Sequence, residues 1–303
     1  MNFSCYTILF LLVQVLSTFN NFTVTFEGET IASVNRSEFV SLLGYEQIDD
    51  EKFKRFTEKI AEQTYKTPLN ATLNNHGVIV PDEIGYKLNK EKFTEDFYTY
   101  FFSSGPLKIA VPLLPQYPKV DSELLASIHV KKIGQYITYF NPRKEARAQN
   151  IAIAVEAINN HVVFPGEVFS FNEVVGKRTL EKGYLPAPVF IKGKVYSDFG
   201  GGICQVSTTL FNAVDQAGVQ ILQRYSHSRS VPYVPPGRDA NVSWFGADFT
   251  FKNIHNQPLL ICAKVVNGSL SIIIESSDVI NYQYENGHNT FSSLQPDTLS
   301  LFN

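Results

Sequence analysis

Cysteine is scarce in this chain: there are three in 303 residues, beside a single methionine and a single tryptophan. Cys5 lies in an apolar leader, so only Cys204 and Cys262 remain to pair, which is no disulfide framework. Histidines are few and scattered. His76, His129, His161 and His255 show no ligand spacing with a cysteine, so neither a metal nor an organic cofactor is expected. The one glycine run is not followed by Gly-Lys-Ser/Thr, which excludes a P-loop. Long basic runs are missing and the formal net charge is -3, so composition argues against nucleic acid as a partner.

What is present belongs to a folded protein, since 44 % of the residues are apolar or aromatic and can build a core. Residues 1–19 are apolar around Tyr6–Leu16, shorter than the roughly 20 residues of a membrane span. This leader fits both a cleaved secretory signal and an N-terminal membrane anchor, with a first strand or helix as the plain alternative. Either of the first two readings puts the remainder outside the cytoplasm, secreted or held at the outer face of the membrane. No other segment is long and apolar enough to span a bilayer.

The pattern predicts an α+β protein of two domains. In the first, over 22–110, Phe22 to Phe26 alternates like a strand and Ser37 can cap a short helix to Leu43. Asp49 or Asp50 opens a helix with Phe53, Phe56 and Ile60 on one face, and Asn89 opens another carrying Phe93, Phe97 and Phe101. Pro112, Pro115 and Pro118 mark a stiff connector over 111–127. The second domain, over 128–276, reads as a strand at Gln135–Phe140, a helix at Pro142–Asn160, strands around Pro165-Gly166, a glycine loop with its helix, and closing strands. The last two strands meet at Asn267-Gly268, a strong hairpin signal. A polar tail follows over 277–303.

Gly200-Gly201-Gly202-Ile203-Cys204 is the most telling stretch. Glycines bring backbone close to a ligand, and a thiol on the first turn of the following helix meets unpaired N–H groups and the positive end of the dipole. Cys204 is therefore the candidate nucleophile, with the amides of Gly201, Gly202 and Cys204 as candidate oxyanion donors. A glycine-rich turn with a cysteine packed under it is the bland reading. His227 is the nearest downstream base, and Asp239 could orient its ring or simply cap a turn. Arg178 and Arg224 are candidates to grip a carboxylate, and Gln205 and Ser207 to touch substrate. Ser207, Thr208 and Asp215 fall on different faces of the helix, so some of its polar residues are expected in water. Cys262, in an apolar strand pattern, is expected to be an inert small hydrophobe.

Pro165-Gly166-Glu167-Val168-Phe169-Ser170-Phe171-Asn172, Gly176-Lys177-Arg178-Thr179, Gly183-Tyr184, the glycine-cysteine stretch, Arg224-Tyr225-Ser226-His227-Ser228 and Pro235-Pro236-Gly237-Arg238-Asp239-Ala240 together resemble the ordered motifs of the VanW domain, over roughly 135–275. Residues 22 to about 110 resemble, more loosely, the peptidoglycan-binding domain that often precedes it. Gln149 stands where the family pattern leads one to expect arginine. The resemblance implies an exported cell-envelope protein with peptidoglycan as partner. It further implies L,D-transpeptidation with Cys204 as nucleophile. A non-catalytic envelope module, binding peptidoglycan or its precursor as an accessory to glycopeptide resistance, is the alternative.

Overall fold

The computed structural model describes residues 20–41, 47–191 and 194–282. The apolar leader and most of the polar tail lie outside the described residues. The fold is α+β, and the described chain forms two compact units: residues up to Ala71 with Val80–Asp121, and Thr72–Ile79 with residues from Ser122 onward.

In the first unit the alternating segment becomes the strand Asn21–Phe26, paired antiparallel with Glu29–Asn35 and parallel with Leu107–Ala110. The helix Asp50–Thr64 starts where Asp49 accepts from the Lys52 N–H, and Lys90–Phe102 starts where Asn89 accepts from the Lys92 N–H. Both helices turn their aromatic faces inward. Phe22, Phe93, Phe97 and Tyr100 are fully buried, and the Phe22 and Phe97 rings meet edge to face at 5.4 Å. The Tyr100 hydroxyl donates to the Asn20 carbonyl at 2.6 Å, so even this buried polar tip is paired.

Two expectations for this unit change. Asn35, not Ser37, caps a short 3-10 turn at Arg36–Phe39, because its side chain accepts from the Ser37 N–H while Glu38 closes a capping box. The proline-rich stretch is not a bare connector. Leu113–Gln116 pairs antiparallel with Gly85–Leu88 in a two-stranded sheet, where an edge position tolerates Pro115, and Ser122–Ile128 is already a helix of the second unit.

The second unit is built on a four-stranded antiparallel sheet in the order Lys131–Tyr139, Ser269–Ser276, Leu259–Val266, His161–Val163. Asn267 and Gly268 both take positive φ, 49° and 81°, as a two-residue hairpin turn of this type demands. The helices Glu145–Ile158 and Ile203–Gln216 pack against this sheet and each other, burying Ile151, Val206, Leu210, Ile261, Ile272 and Ile274 in one apolar core. A three-stranded sheet of Val168–Ser170, Thr250–Lys252 and Gln220–Gln223 adds Phe169 and Phe251, stacked at 4.9 Å. The hairpin Pro186–Ile191 with Lys194–Phe199 leads into the glycine run.

The helix Ile203–Gln216 is buried far more completely than its polar residues suggested. Gln205, Ser207, Thr208, Thr209 and Asn212 are all inside. Each has a partner: Ser207 donates to the Ala240 carbonyl at 2.6 Å, Thr208 accepts from the Ala240 N–H at 2.9 Å, Thr209 meets Thr138 at 2.8 Å, and Asn212 donates to the Arg238 carbonyl at 2.8 Å. The segment 238–240 thus covers the face carrying Ser207, Thr208 and Asn212.

Candidate active site

The three glycines are needed for room as much as for backbone conformation. Gly200 and Gly202 sit at φ +83° and +111°, where L side chains are strained. A Cβ at Gly200 would come within 3.0 Å of the Arg178 stem, and one at Gly202 within 2.9 Å of the Arg147 stem. One at Gly201 would strike the Ala187 carbonyl oxygen at 2.6 Å. The turn therefore admits two arginine stems and a strand backbone at once. Asn150, fully buried, secures it from behind: its amide donates to the Leu185 carbonyl at 2.9 Å and the Gly201 carbonyl at 3.1 Å, and its oxygen accepts from the Leu185 N–H at 2.8 Å.

Cys204 is the second residue of the helix. Gly202 at the N-cap supplies no side-chain cap, and no acidic residue occupies the first turn, so the positive end of the helix is not neutralised there. The sulfur is half-buried and lies 3.4 Å from both Asn241 Oδ1 and the Val242 carbonyl oxygen. His227 is brought to it. Asp239 Oδ2 accepts from the His227 backbone N–H and from ring Nδ1, each at 2.6 Å, which orients the imidazole and leaves Nε2 unengaged by Asp239, on a ring that Cys204 is near enough to influence.

The electrostatics agree with the geometry. Burial opposes charge on His227, but hydrogen bonding and the charge at Cys204, then at Asp239, outweigh it and raise the imidazole above its ordinary value. Burial likewise pushes Asp239 up, yet the His227 backbone N–H, ring and charge more than offset this and hold its carboxyl below the usual range. Arg147 and Arg178 are lowered by desolvation, partly countered by the charge at Cys204. Burial raises the Tyr233 phenol, and Cys204 acts in the same direction. Cys204 thus acts electrostatically on two guanidiniums, an imidazole and a phenol.

Of the residues singled out from sequence, Cys204, His227 and Asp239 converge, and Gly201 and Gly202 frame them. Arg178 also reaches the site, donating through Nη2 to Asn172 Oδ1 at 2.7 Å with its guanidinium 5.8 Å from the Trp244 ring. Arg224 does not. It donates to the Gly237 and Asp239 carbonyls and lies 4.7 Å over Phe211, so it shapes the loop that carries Asp239. Gln205 and Ser207 are not available to substrate, being 1 % and 0 % exposed. Gln205 instead donates to Thr138 Oγ1 and the Tyr139 carbonyl and accepts from Arg147 at 2.7 Å, so it positions that arginine.

Arg147, Tyr184 and Tyr233 were missed. Arg147 and Asn150 continue the stripe of Ile151, Ala154 and Ile158 on one helical face, a polar extension of a core stripe that was the readable signal. Gln149, the departure noted above, donates to the Gly183 carbonyl at 2.6 Å. Elsewhere in this unit His129, Cys262 and Glu275 place three possible ligand atoms within 4.8 Å of one another, a grouping that sequence spacing concealed. Burial there, followed by the charge of Glu275, pushes the Cys262 thiol up.

Residues 146–274 match the family described as VanW like protein, and residues 20–109 match the one described as "Putative peptidoglycan binding domain". The chain is 57 % identical over 274 residues to "Uncharacterized protein YoaR" of Bacillus subtilis, covering 90 % of each chain. It is 25 % identical over 166 residues to "Vancomycin B-type resistance protein VanW" of Enterococcus faecalis, covering 46 % of this chain and 60 % of that one. No solved structure matches. No helix among the described residues is long and apolar enough to cross a membrane. The two matched domain types mark a cell-envelope protein, and the N-terminal one supports peptidoglycan as its partner and an extracytoplasmic location. With that relative and these two domains, the chain belongs to the VanW-like protein family.

Proposed function

We propose that the protein is a cysteine acyltransferase acting on peptidoglycan stem peptides, an L,D-transpeptidase. The observation that carries this reading is the convergence of Cys204 at an open helix N-terminus with a His227 ring oriented by Asp239. The Cys204 thiolate attacks the carbonyl carbon of the third residue of a tetrapeptide stem. The oxyanion is met by the amides of Gly201, Gly202 and Cys204. As the C–N bond breaks, His227 gives its proton to the departing D-alanine amine, leaving a thioester. The side-chain amine of a neighbouring stem's diamino acid then attacks that thioester, passes its proton to His227, and releases the thiolate with a 3-3 cross-link formed. Water in place of the amine makes the same site a carboxypeptidase.

The test compares wild type with Cys204→Ala on purified tetrapeptide muropeptides by mass spectrometry. Cross-linked dimer is expected from wild type alone, and equal dimer from both proteins sinks the catalytic reading. A binding module without chemistry is the second reading, favoured by the N-terminal family match. A sacculus pull-down in which Cys204→Ala binds as wild type does while neither turns over would establish it.

A further inference from the structure

Two buried polar atoms near the glycine turn find no partner among the described residues. Among the described residues, Arg178 Nη1 and Tyr184 Oη are buried and make no hydrogen bond. A buried polar atom left without a partner is costly, which favours a ligand that supplies one. Tyr184 is fully buried, and both orphans belong to residues beside the glycine turn: the Arg178 stem borders Gly200, and the Gly200 N–H donates to the carbonyl of Leu185, the residue after Tyr184. The charge at Cys204 acts on Arg178.

The arginine is rigidly aimed. Its Nη2 is held by Asn172 Oδ1, and the Asn172 amide is in turn fixed by the Ser243 and Ala247 carbonyls at 3.0 and 3.1 Å. The guanidinium lies near the Phe171 and Trp244 rings, and its stem passes the hole left by Gly200. Asp248, the carboxylate whose charge reaches Arg178, has its oxygens engaged by Ser170, the Asn172 N–H and the Phe249 N–H. One limb of a fixed fork and one phenol O–H are therefore left without a partner among the described residues. A carboxylate, with two acceptor oxygens and one charge, matches that pair.

We infer that Arg178 and Tyr184 form a carboxylate subsite beside Cys204 that reads the free terminal α-carboxylate of the stem peptide, one residue beyond the attacked carbonyl. The identity of that peptide rests on the function proposed above. The subsite restricts attack to the last peptide bond of a stem, because only there does a free carboxylate follow the carbonyl so closely. It also separates the roles of the two arginines: Arg147 is held by Gln205, whereas Arg178 keeps a free limb.

The test uses the full chain carrying Cys204→Ala, so that binding is measured without turnover. Isothermal titration with a synthetic stem tetrapeptide ending in a free carboxylate, and with the same peptide ending in an amide, is expected to favour the acid about tenfold or more. Adding Arg178→Gln should abolish the preference. Adding Tyr184→Phe should weaken acid binding several-fold, leave amide binding alone and not lower the melting temperature, since the lost hydroxyl bonds nothing in the free protein. A merely structural tyrosine would show none of that split. Equal affinity for the two peptides, or a preference that survives both substitutions, overturns the subsite. Acid preference in a protein whose wild type makes no dimer keeps the subsite and removes the transpeptidase. Wild type that cross-links acid and amide stems alike does the reverse.

Discussion

The two units hold themselves together by different means. In the first, the buried polar side chains among the described residues are Thr57 and Thr64, each donating to a carbonyl one turn back in its own helix. Its interior is otherwise apolar and centred on aromatic rings, with Phe22, Phe53, Phe56, Phe93 and Phe97 in ring contact beside aliphatic Val24 and Ile60. The second unit places a line of hydroxyls and amides through its centre and satisfies them with partners distant in sequence. Ring packing is forgiving of small displacements, whereas a buried hydrogen-bond network is not. The difference teaches where exact placement is needed: around the helix that presents Cys204.

The contrast can be pressed by substitution. His227→Gln should reduce cross-linking by a factor of about 10²–10⁴ without unfolding the protein, as read by mass spectrometry and circular dichroism. Retained turnover would mean that the Asp239–His227 pair is only structural. Phe97→Ala should destabilise the first unit by about 3–5 kcal/mol in urea unfolding, since it empties the middle of the ring cluster. Asn212→Ala should cost the second unit about 1–3 kcal/mol, because it strands the Arg238 carbonyl and Nε that Asn212 now serves. A loss near zero would show that the polar interior does not depend on the Asn212–Arg238 pairing.

Smaller effects follow from pH and from the two thiols. Because the folded value of His227 is raised, its contribution to stability is full below its ordinary 6.5 and is lost as pH rises through the higher folded value. Asp239 is lowered, so its contribution is present above its ordinary 3.8 and is lost as pH falls through the lower folded value. Melting curves of wild type and His227→Gln should therefore diverge at mildly acid pH and converge in the alkaline range. Iodoacetamide near neutral pH should label Cys204 in the native protein and Cys262 only after unfolding, with peptide mapping as the readout.

Local signals were legible because their physics is local. Asn89 caps its helix, the Phe93-Phe97-Phe101 spacing makes a buried face, and Asn267-Gly268 turns a hairpin. Cys204, His227 and Asp239 were recoverable because a cysteine at a helix start calls for a base and an orienting group. The buried state of Gln205 and Ser207 was not, since it depends on Thr138 and Ala240, 67 and 33 residues away. Arg224 misled for the same reason: an arginine beside a site residue can equally tie down the backbone behind it. Tyr184 stood in the Gly183-Tyr184 motif and Arg147 at the polar end of a core stripe, yet their place at the site was not legible, because an orphaned hydroxyl and a stem lying in a glycine's empty space exist only after folding.

Asn150 carries one more implication. A single amide joins the hairpin at Leu185 to the turn at Gly201, so the curvature of the glycine run is dictated from the rear of the unit rather than by whatever docks in front. On the proposed function, an incoming peptide then meets a rim already set to shape, and its binding energy need not be diverted to ordering a floppy loop.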